Sequence, residues 1–581
     1  MLMPLEKRWI VAPKTPPDHL AQYREMSPIV AQILYNRGLT DPADAYRFLH
    51  ADDLNPGSLL SLKGKRPSID RALARIRQAI RANEPIVVYG DFDADGVTST
   101  ALLVEALKAL GARVAPYIPH RVDEGYGVNN EALLKIARWG VKLVITVDCG
   151  IRSVEEVEEG KALGLDIIVT DHHSLGPELP KAYSVINPKC DDANYTEDML
   201  AGVGVAYRLA EALFTIAGIG QAKAANGRAP TPDDFLDLVA IGTVADLAPL
   251  NRLENRILVK RGLQIMNETR RMGLRALFEV AQLKLGSIDA GSIGFGIGPR
   301  INAAGRLDDA MLAYELLSTT DPNKAGQLAV RLQALNVQRQ ELTRAAQDMI
   351  REKLEDAEAL PLIFAGDRHF QPGIVGLVAG RLTEEFYRPA VVMEEGDLES
   401  RASCRSIPQF DITHALDQCA SLLVRHGGHA QAAGFTILNE NIPEFKDKLM
   451  TLARNALRGQ DLLPTLEIDM EVDAADVSLD LAMELRQLEP TGHMNPTPTL
   501  ITRNLRVQEW RTVGQKDQHL KLRLGRAGLS TLDAIGFNLA GDWSVKNGDY
   551  VDVAYQLEIN EWNGNTTAQL RLLDIKRTGT W

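Results

Sequence analysis

The stretch Pro85-Ile86-Val87-Val88-Tyr89-Gly90-Asp91-Phe92-Asp93-Ala94-Asp95-Gly96 decides how this chain reads. Its first half is a short apolar run of the kind that forms a buried strand. Its second half delivers Asp91, Asp93 and Asp95 at that strand's carboxyl end, the edge where open α/β sheets place their ligands. Two later runs end alike. Leu143-Val144-Ile145-Thr146-Val147 leads into Asp148-Cys149-Gly150, and Ile167-Ile168-Val169-Thr170 leads into Asp171-His172-His173. Helical spacing fills residues 131–137 and 154–163, and Ser68 N-caps a helix that precedes the first strand. Strand and helix alternating at this spacing predict a parallel sheet with helices on both faces. A further apolar helix, Phe235 to Val244, brings Asp246 near its C-terminus.

Several carboxylates and imidazoles thus share one sheet edge. Like charges a few ångströms apart cannot all ionise without compensation. Divalent cations resolve the conflict, and oxygen ligands mixed with imidazole suit Mn²⁺ or Mg²⁺. Two such ions about 4 Å apart are the standard arrangement for phosphoryl hydrolysis. Each motif has a blander reading alone: a D-x-D-x-D stretch as a solvated loop, Asp148 as a helix cap, His-His as a surface pair. Their recurrence at successive strand ends favours the metal centre.

At 581 residues the chain needs roughly three to four cores. Apolar and charged shares of 45% and 24% are those of ordinary globular proteins. The net charge of −13 argues against phosphate binding by the whole surface, though not within one groove. Glu6, Lys7 and Arg8 stand where a signal peptide needs apolar residues. Without an apolar span of about 18 residues, no membrane association is expected. Cys149, Cys190, Cys404 and Cys419 form no C-x-x-C pair, so a reducing cytoplasm is the simplest location.

Asp321-Pro322 opens a long connecting helix over 321–357, with Leu328, Leu332, Leu335, Leu342 and Ile350 near one face. A smaller α/β unit follows over 358–463, with strands at 362–365 and 390–393 around a helix at 374–385. A second helix is expected there at 412–423. From 464 to 581 short alternating strands suit a small β-barrel. In it Arg503, Arg506, Arg511, Lys516, Lys521, Arg523 and Arg526 lie against only Glu509 and Asp517, with Trp510, Trp543, Tyr550 and Trp562 nearby. Basic residues among aromatics are one way to hold single strands. Residues 224–228 read as a flexible loop.

The motifs together resemble the DHH phosphoesterases, and within them the RecJ branch. Asp91-Phe92-Asp93-Ala94-Asp95-Gly96, Val147-Asp148-Cys149-Gly150 and Asp171-His172-His173 match successive motifs, and Asp246 resembles the next acidic ligand. Gly294-Phe295-Gly296-Ile297-Gly298-Pro299-Arg300-Ile301-Asn302-Ala303-Ala304-Gly305-Arg306 is similar to a RecJ-branch segment. Gly427-Gly428-His429 resembles the signature of the DHH-associated domain. Val87 stands where relatives that bind two ions tightly carry His, as in the RecJ branch.

The resemblance implies a DHH catalytic domain over 68–320, a DHH-associated domain and an OB-like barrel. It places residues 1–67 as an extension packed on the catalytic domain. It implies two Mn²⁺ or Mg²⁺ ions, with Asp93, Asp148, His172 and Asp246 around one and Asp148 bridging to the other. Asp91 and Asp95 would complete the second ion's shell, and His173 would touch phosphate or support the ligands. Arg300, Asn302 and Arg306 are implied substrate contacts, the glycines admitting phosphate to the backbone. Arg401, Ser403, Arg405 and Ser406 would hold backbone phosphates, and Gly428 and His429 would press against the ligand. The implied activity is removal of 5′-mononucleotides from the 5′ end of single-stranded DNA, in repair and recombination. A single-strand-binding protein and a helicase would be partners. The alternatives are a superfamily enzyme for short oligonucleotides or cyclic dinucleotides, and an inactive strand-binding scaffold.

Overall fold

The computed structural model describes residues 6–24, 26–51, 67–121, 123–190, 199–216, 230–354, 360–526, 528, 531–541, 545–562 and 564–579. Its first sheet is wholly parallel, in the order Arg113–Tyr117, Pro85–Tyr89, Leu143–Val147, Asp166–Thr170, Ser184–Ile186. The register sets Tyr89 beside Thr146 and Val147 beside Thr170. Asp91, Asp148 and Asp171 therefore leave the same edge. The three central strands are the apolar runs read from sequence. The outer two escape that reading because one alternates as an edge strand does and the other is three residues long.

The first Asp cluster runs directly into helix Ala94–Ala109, most of whose residues are buried on every side. All-round burial leaves no amphipathic stripe for a period to reveal. Helices Gly202–Thr215 and Leu236–Ala245 pack on it and complete the main core. The glycine-rich block, expected to open its backbone to phosphate, is helical. A wide π-type turn, Ser292–Ile297, continues into helix Gly298–Leu307 with a Pro in its first turn. Its buried Ile301, Ala303 and Ala304 fix it to the core.

Helix Pro322–Lys353 spans 32 residues and is N-capped by the Asp321 carboxylate. It leads to a mixed sheet ordered Leu423–His429, Ala432–Leu438, Glu399–Arg405, Ala390–Glu394, Ile363–Asp367. The helix expected over 412–423 stops at Asp417, and Leu423 already begins the edge strand. Gly428 has φ +149°, and a Cβ there would fall 2.4 Å from the Ala432 oxygen, so the hairpin requires glycine.

The C-terminal strands Leu500–Val513, His519–Gly525, Leu532–Gly536, Asn565–Arg577 and Tyr550–Trp562 pair in that order. Leu500–Val513 pairs again with Tyr550–Trp562 and closes the barrel. The N-terminal segment is a second correction, because its apolar side chains pack chiefly on this barrel. Arg8–Val11 pairs in parallel with Thr465–Ile468, and Val30, Ile33, Leu34, Phe48 and Leu49 share the barrel's core. Its link to the catalytic domain is polar: Arg256 donates to the Phe48 carbonyl at 2.6 Å and Lys260 to that of Leu49 at 2.8 Å. Arg256 is fully buried and also donates to the carbonyls of Gln487, Leu488, Glu489 and Pro490. One side chain thus ties the catalytic domain, the N-terminal segment and the barrel together.

Candidate metal centre and nucleic-acid groove

Asp93 N-caps helix Ala94–Ala109, with its Oδ1 accepting from Gly96 N at 3.0 Å. That cap aims the loop Asp91–Asp93 across the sheet edge. Asp148 sits at φ +61°, a left-handed conformation that non-glycine residues adopt at some cost. Gly202 permits it: a Cβ there would meet Asp148 Cβ at 2.6 Å. His172 Nε2 lies 3.1 Å from Asp148 Oδ1, 3.7 Å from Asp246 Oδ2 and 3.9 Å from Asp95 Oδ2. Asp246 ends helix Leu236–Ala245 as its C-cap.

Among the described residues three groups could each hold one cation: Asp91, Asp93 and Asp148; Asp95, His172 and Asp246; and Asp148, Asp171, His172 and His173. Oδ1 of Asp91, Oδ1 of Asp148 and Nε2 of His172 are buried and have no hydrogen-bond partner. Buried polar atoms left in this way are costly, and a cation is what such donor atoms fit. Burial and then mutual repulsion raise the pKa values of Asp91, Asp95 and Asp148 well above the ordinary carboxylate range. Burial and the charge of Asp93 push Asp246 up to about 7. Burial and the neighbouring His173 lower His172 to about 4, which leaves a neutral imidazole able to ligate. Bound cations relieve every one of these strains.

Asp95 departs from the expected grouping. Its two oxygens accept from Gly202 N at 2.7 Å and Val203 N at 2.8 Å, so it anchors the helix beneath Asp148 and faces His172 rather than Asp91. Asp171, passed over as a site residue, orients the histidines. Its Oδ1 accepts from the backbone of His172 at 2.7 Å and from His173 Nδ1 at 2.8 Å. Burial works to raise its pKa, but the hydrogen bond and charge of His173 hold it below the usual value. Burial likewise opposes the charged form of His173, yet Asp171 raises its pKa overall. Lys189 donates to the His172 carbonyl at 2.5 Å and steadies the same turn.

The remaining expected contacts separate. Arg306 donates to the Gly373 carbonyl at 3.0 Å, and its pKa falls to about 10 through burial and the neighbouring guanidiniums of Arg121 and Arg339. Arg405 is held by Ser403 Oγ at 3.3 Å, and both face Gly376 of helix Val375–Phe386. Arg300 bonds Gln333 at 2.8 Å and the Gly296 carbonyl at 2.6 Å. Arg121, on a loop the sequence left unread, stacks over Phe92 at 4.6 Å within reach of Asp91 and Asp93. Arg121, Arg306, Arg339 and Arg405 lie near enough to feel one another's charge and form a basic wall, in which Arg306, Arg405 and Arg339 form no carboxylate pair among the described residues.

Asn302 is not part of that wall: its Oδ1 accepts from Ala94 N at 2.8 Å and supports the Asp loop. Ser406 is buried and donates to the Phe410 carbonyl at 2.6 Å, which removes it from the groove. Arg401 stands opposite Glu394, about 13 Å along the strand from Arg405. Gly428 and His429 lie exposed on the sheet's edge strand.

On the barrel, much of the basic stripe is neutralised. Arg503 pairs with Glu471, Arg523 with Glu509 and Arg526 with Asp473. Arg511 and Lys521 face one another across two strands, with Trp510 half-exposed beside them. Trp543, the side chain of Trp562 and residues 224–228 lie outside the described residues.

Residues 85–243 match the DHH family N-terminal domain, 360–455 the DHHA1 domain and 468–574 the RecJ OB domain. Fold and site define a DHH-class phosphoesterase. The single-stranded-DNA-specific exonuclease RecJ of Bacillus subtilis is 37% identical over 579 residues, covering 97% of this chain and 71% of that protein. The Escherichia coli protein of the same name is 35% identical, covering 95% and 96%. The crystal structure of Thermus thermophilus RecJ in complex with Mn²⁺ matches with a TM-score of 0.81 at 33% identity, covering 99% of this chain and 80% of that one. This chain belongs to the RecJ family of single-stranded-DNA-specific exonucleases.

Proposed function

We infer that this protein hydrolyses single-stranded DNA from its 5′ end and releases 5′-mononucleotides. The observation that carries this reading is the ring of Asp91, Asp93, Asp148, His172 and Asp246, with orphaned ligand atoms, beside the cluster of Arg121, Arg306, Arg339 and Arg405. Mn²⁺ or Mg²⁺ bound there supplies Lewis acidity to the phosphodiester and lowers the pKa of the attacking water. Asp91, Asp93 and Asp148 would hold one ion, and His172 and Asp246 the other, with Asp148 shared.

The protein's own side chains do the rest. Asp171 holds the His173 imidazole and the backbone of His172. Asp171 takes His173 Nδ1 and raises the ring's pKa, so Nε2 is the nitrogen that would offer a proton to phosphate or leaving oxygen. Arg306 and Arg405 hold the phosphate that precedes the scissile bond, and Ser403 fixes the Arg405 fork. His429 closes the groove from the edge strand. Because the groove need admit only one strand, duplex is excluded.

In the cell this activity serves DNA repair and recombination in the cytoplasm. A helicase exposes the strand and a single-strand-binding protein presents it. Digestion of single-stranded and blunt duplex DNA with Mn²⁺, beside Asp148→Asn, tests the reading. Single strands alone should be degraded, and the variant should be inert. Equal digestion of duplex, or hydrolysis of dinucleotides with long strands left intact, would overturn it.

A further inference from the structure

Two buried tyrosines on neighbouring strands of the parallel sheet, Tyr89 and Tyr117, stack with ring centroids 5.2 Å apart. Both send their hydroxyls to one stretch of chain, residues 118–128, which joins strand Arg113–Tyr117 to helix Asn130–Arg138. The Tyr89 hydroxyl donates to the Gly127 carbonyl at 2.9 Å and accepts from Asn129 Nδ2 at 3.1 Å. The Tyr117 hydroxyl donates to Glu124 Oε1 at 2.5 Å. The other carboxylate oxygen, Glu124 Oε2, accepts from His120 N at 2.7 Å, and Glu124 N donates to the His120 carbonyl at 2.8 Å. A single carboxylate thus closes the turn on itself and fastens it to the sheet.

What the turn carries explains why it is fastened. Arg121 follows His120 directly, and its guanidinium lies over the Phe92 ring at 4.6 Å. Asp91 and Asp93 attract it, and Arg306 is near enough to repel it. The backbone alone does not hold it there. None of the described residues in 118–128 belongs to a helix or strand, and Gly125 and Gly127 sit at φ +80° and +82° with open space around them. Opposite charges at short range attract strongly where water is scarce. Without the Glu124 clamp, that attraction would draw the guanidinium onto Asp91 and Asp93 and away from the arginine cluster.

We propose that Glu124 is a positioning residue: bridging Tyr117 and His120, it keeps Arg121 in the arginine cluster, where the guanidinium helps to grip the phosphate that precedes the scissile bond. The inference rests on the exonuclease reading and extends it by naming the part that sets this grip. In a strand shortened one nucleotide at a time from its 5′ end, that phosphate is the terminal one. Glu124 acts through Arg121, at one remove from the reacting atoms.

The test compares binding of the full-length protein to fluorescent oligodeoxythymidylate bearing either a 5′-phosphate or a 5′-hydroxyl, in EDTA, where no hydrolysis occurs. The parent should prefer the phosphorylated strand. Glu124→Ala should cut that preference by about ten-fold, the worth of one charge-assisted hydrogen bond, and leave binding of the hydroxyl strand within about two-fold. Glu124→Gln should keep most of the preference, because its oxygen can accept from His120 N while its amide donates to the Tyr117 hydroxyl. Once Arg121→Ala is in place, adding Glu124→Ala should change the preference by less than about two-fold, since both changes remove the same grip. A merely structural Glu124 would weaken both strands alike, with or without Arg121. Should Glu124→Ala fail to fold, Tyr117→Phe removes only one of the bonds and should lower the preference by about three-fold. A parent without phosphate preference, a preference undiminished in the variants, or a loss that persists after Arg121→Ala would overturn the inference. If the parent digests strands from the 5′ end and these variants match it, only this inference falls. If the parent neither binds nor digests single strands, the exonuclease reading falls with it.

Discussion

Asn302→Ala separates two roles for one residue. The sequence placed Asn302 among the substrate contacts, but its Oδ1 accepts from Ala94 N at 2.8 Å, just after the metal-facing Asp93. Removing that acceptor leaves a partly buried N–H without a partner, a cost of about 1–3 kcal/mol. The strain falls on the loop that aims Asp91 and Asp93. Loss of a group that orients metal ligands costs about 10- to 100-fold in metal affinity or activity. Calorimetric titration of the metal-free protein with Mn²⁺ reads this directly. Asn302→Ala should bind Mn²⁺ at least about ten-fold more weakly, with KM for single strands little changed at saturating metal. Asn302→Asp keeps an acceptor oxygen and should recover much of the affinity. Unchanged Mn²⁺ binding with a raised KM would refute this reasoning and return Asn302 to the substrate contacts.

Other consequences follow from the same geometry. Asp148→Asn should lower kcat by at least about a thousand-fold, since it removes the charge shared between both cation sites; retention of more than about a tenth of activity would contradict that role. The metal-free protein should lose stability as pH rises from about 4 to about 7, because Asp246, pushed up to about 7 by burial and Asp93, binds its proton more tightly folded than unfolded. Thermal melts in EDTA should therefore fall from about pH 5.5 to about pH 8, and Mn²⁺ should raise Tm more at the higher pH; an EDTA melt that climbs over this window contradicts the sign. Arg256→Met should cost about 3–5 kcal/mol, as it strips a buried cation from five backbone carbonyls, and limited proteolysis should then release the barrel; unchanged protease resistance would count against the clamp. Gly428→Ala should weaken strand binding by distorting the hairpin at φ +149°, and equal binding would show that the edge strand is not part of the groove.

The acidic and histidine cluster was legible because most of its residues sit beside the strongest local signal a sequence carries, buried apolar strands followed by charge. Asp91, Asp93, Asp148 and His172 follow such strands, and Asp246, which ends an apolar helix, joins them in space. Asp95 was misplaced because spacing along the chain does not reveal that Gly202 and Val203 reach back to occupy its oxygens. Asp171 stood in plain view beside the histidines, yet its role depends on a hydrogen bond that only the folded turn creates. Arg121 lies on a loop without periodicity, so no pattern announced it. The block Gly294–Arg306 misled in the opposite direction. Its glycines suggested a backbone open to phosphate, whereas tertiary burial of Ile301, Ala303 and Ala304 makes it helical and leaves Phe295 outside. The attachment of the N-terminal segment to the barrel was illegible, since the parallel pair joins residues 8–11 to residues 465–468, far apart in sequence.

The most direct measurement is digestion of single-stranded DNA labelled at either end, with Mn²⁺ present. The account expects labelled mononucleotide to appear at once from 5′-labelled strands, while 3′-labelled strands shorten progressively before their label is freed. Immediate release from the 3′ end, or internal fragments from both substrates, would contradict it.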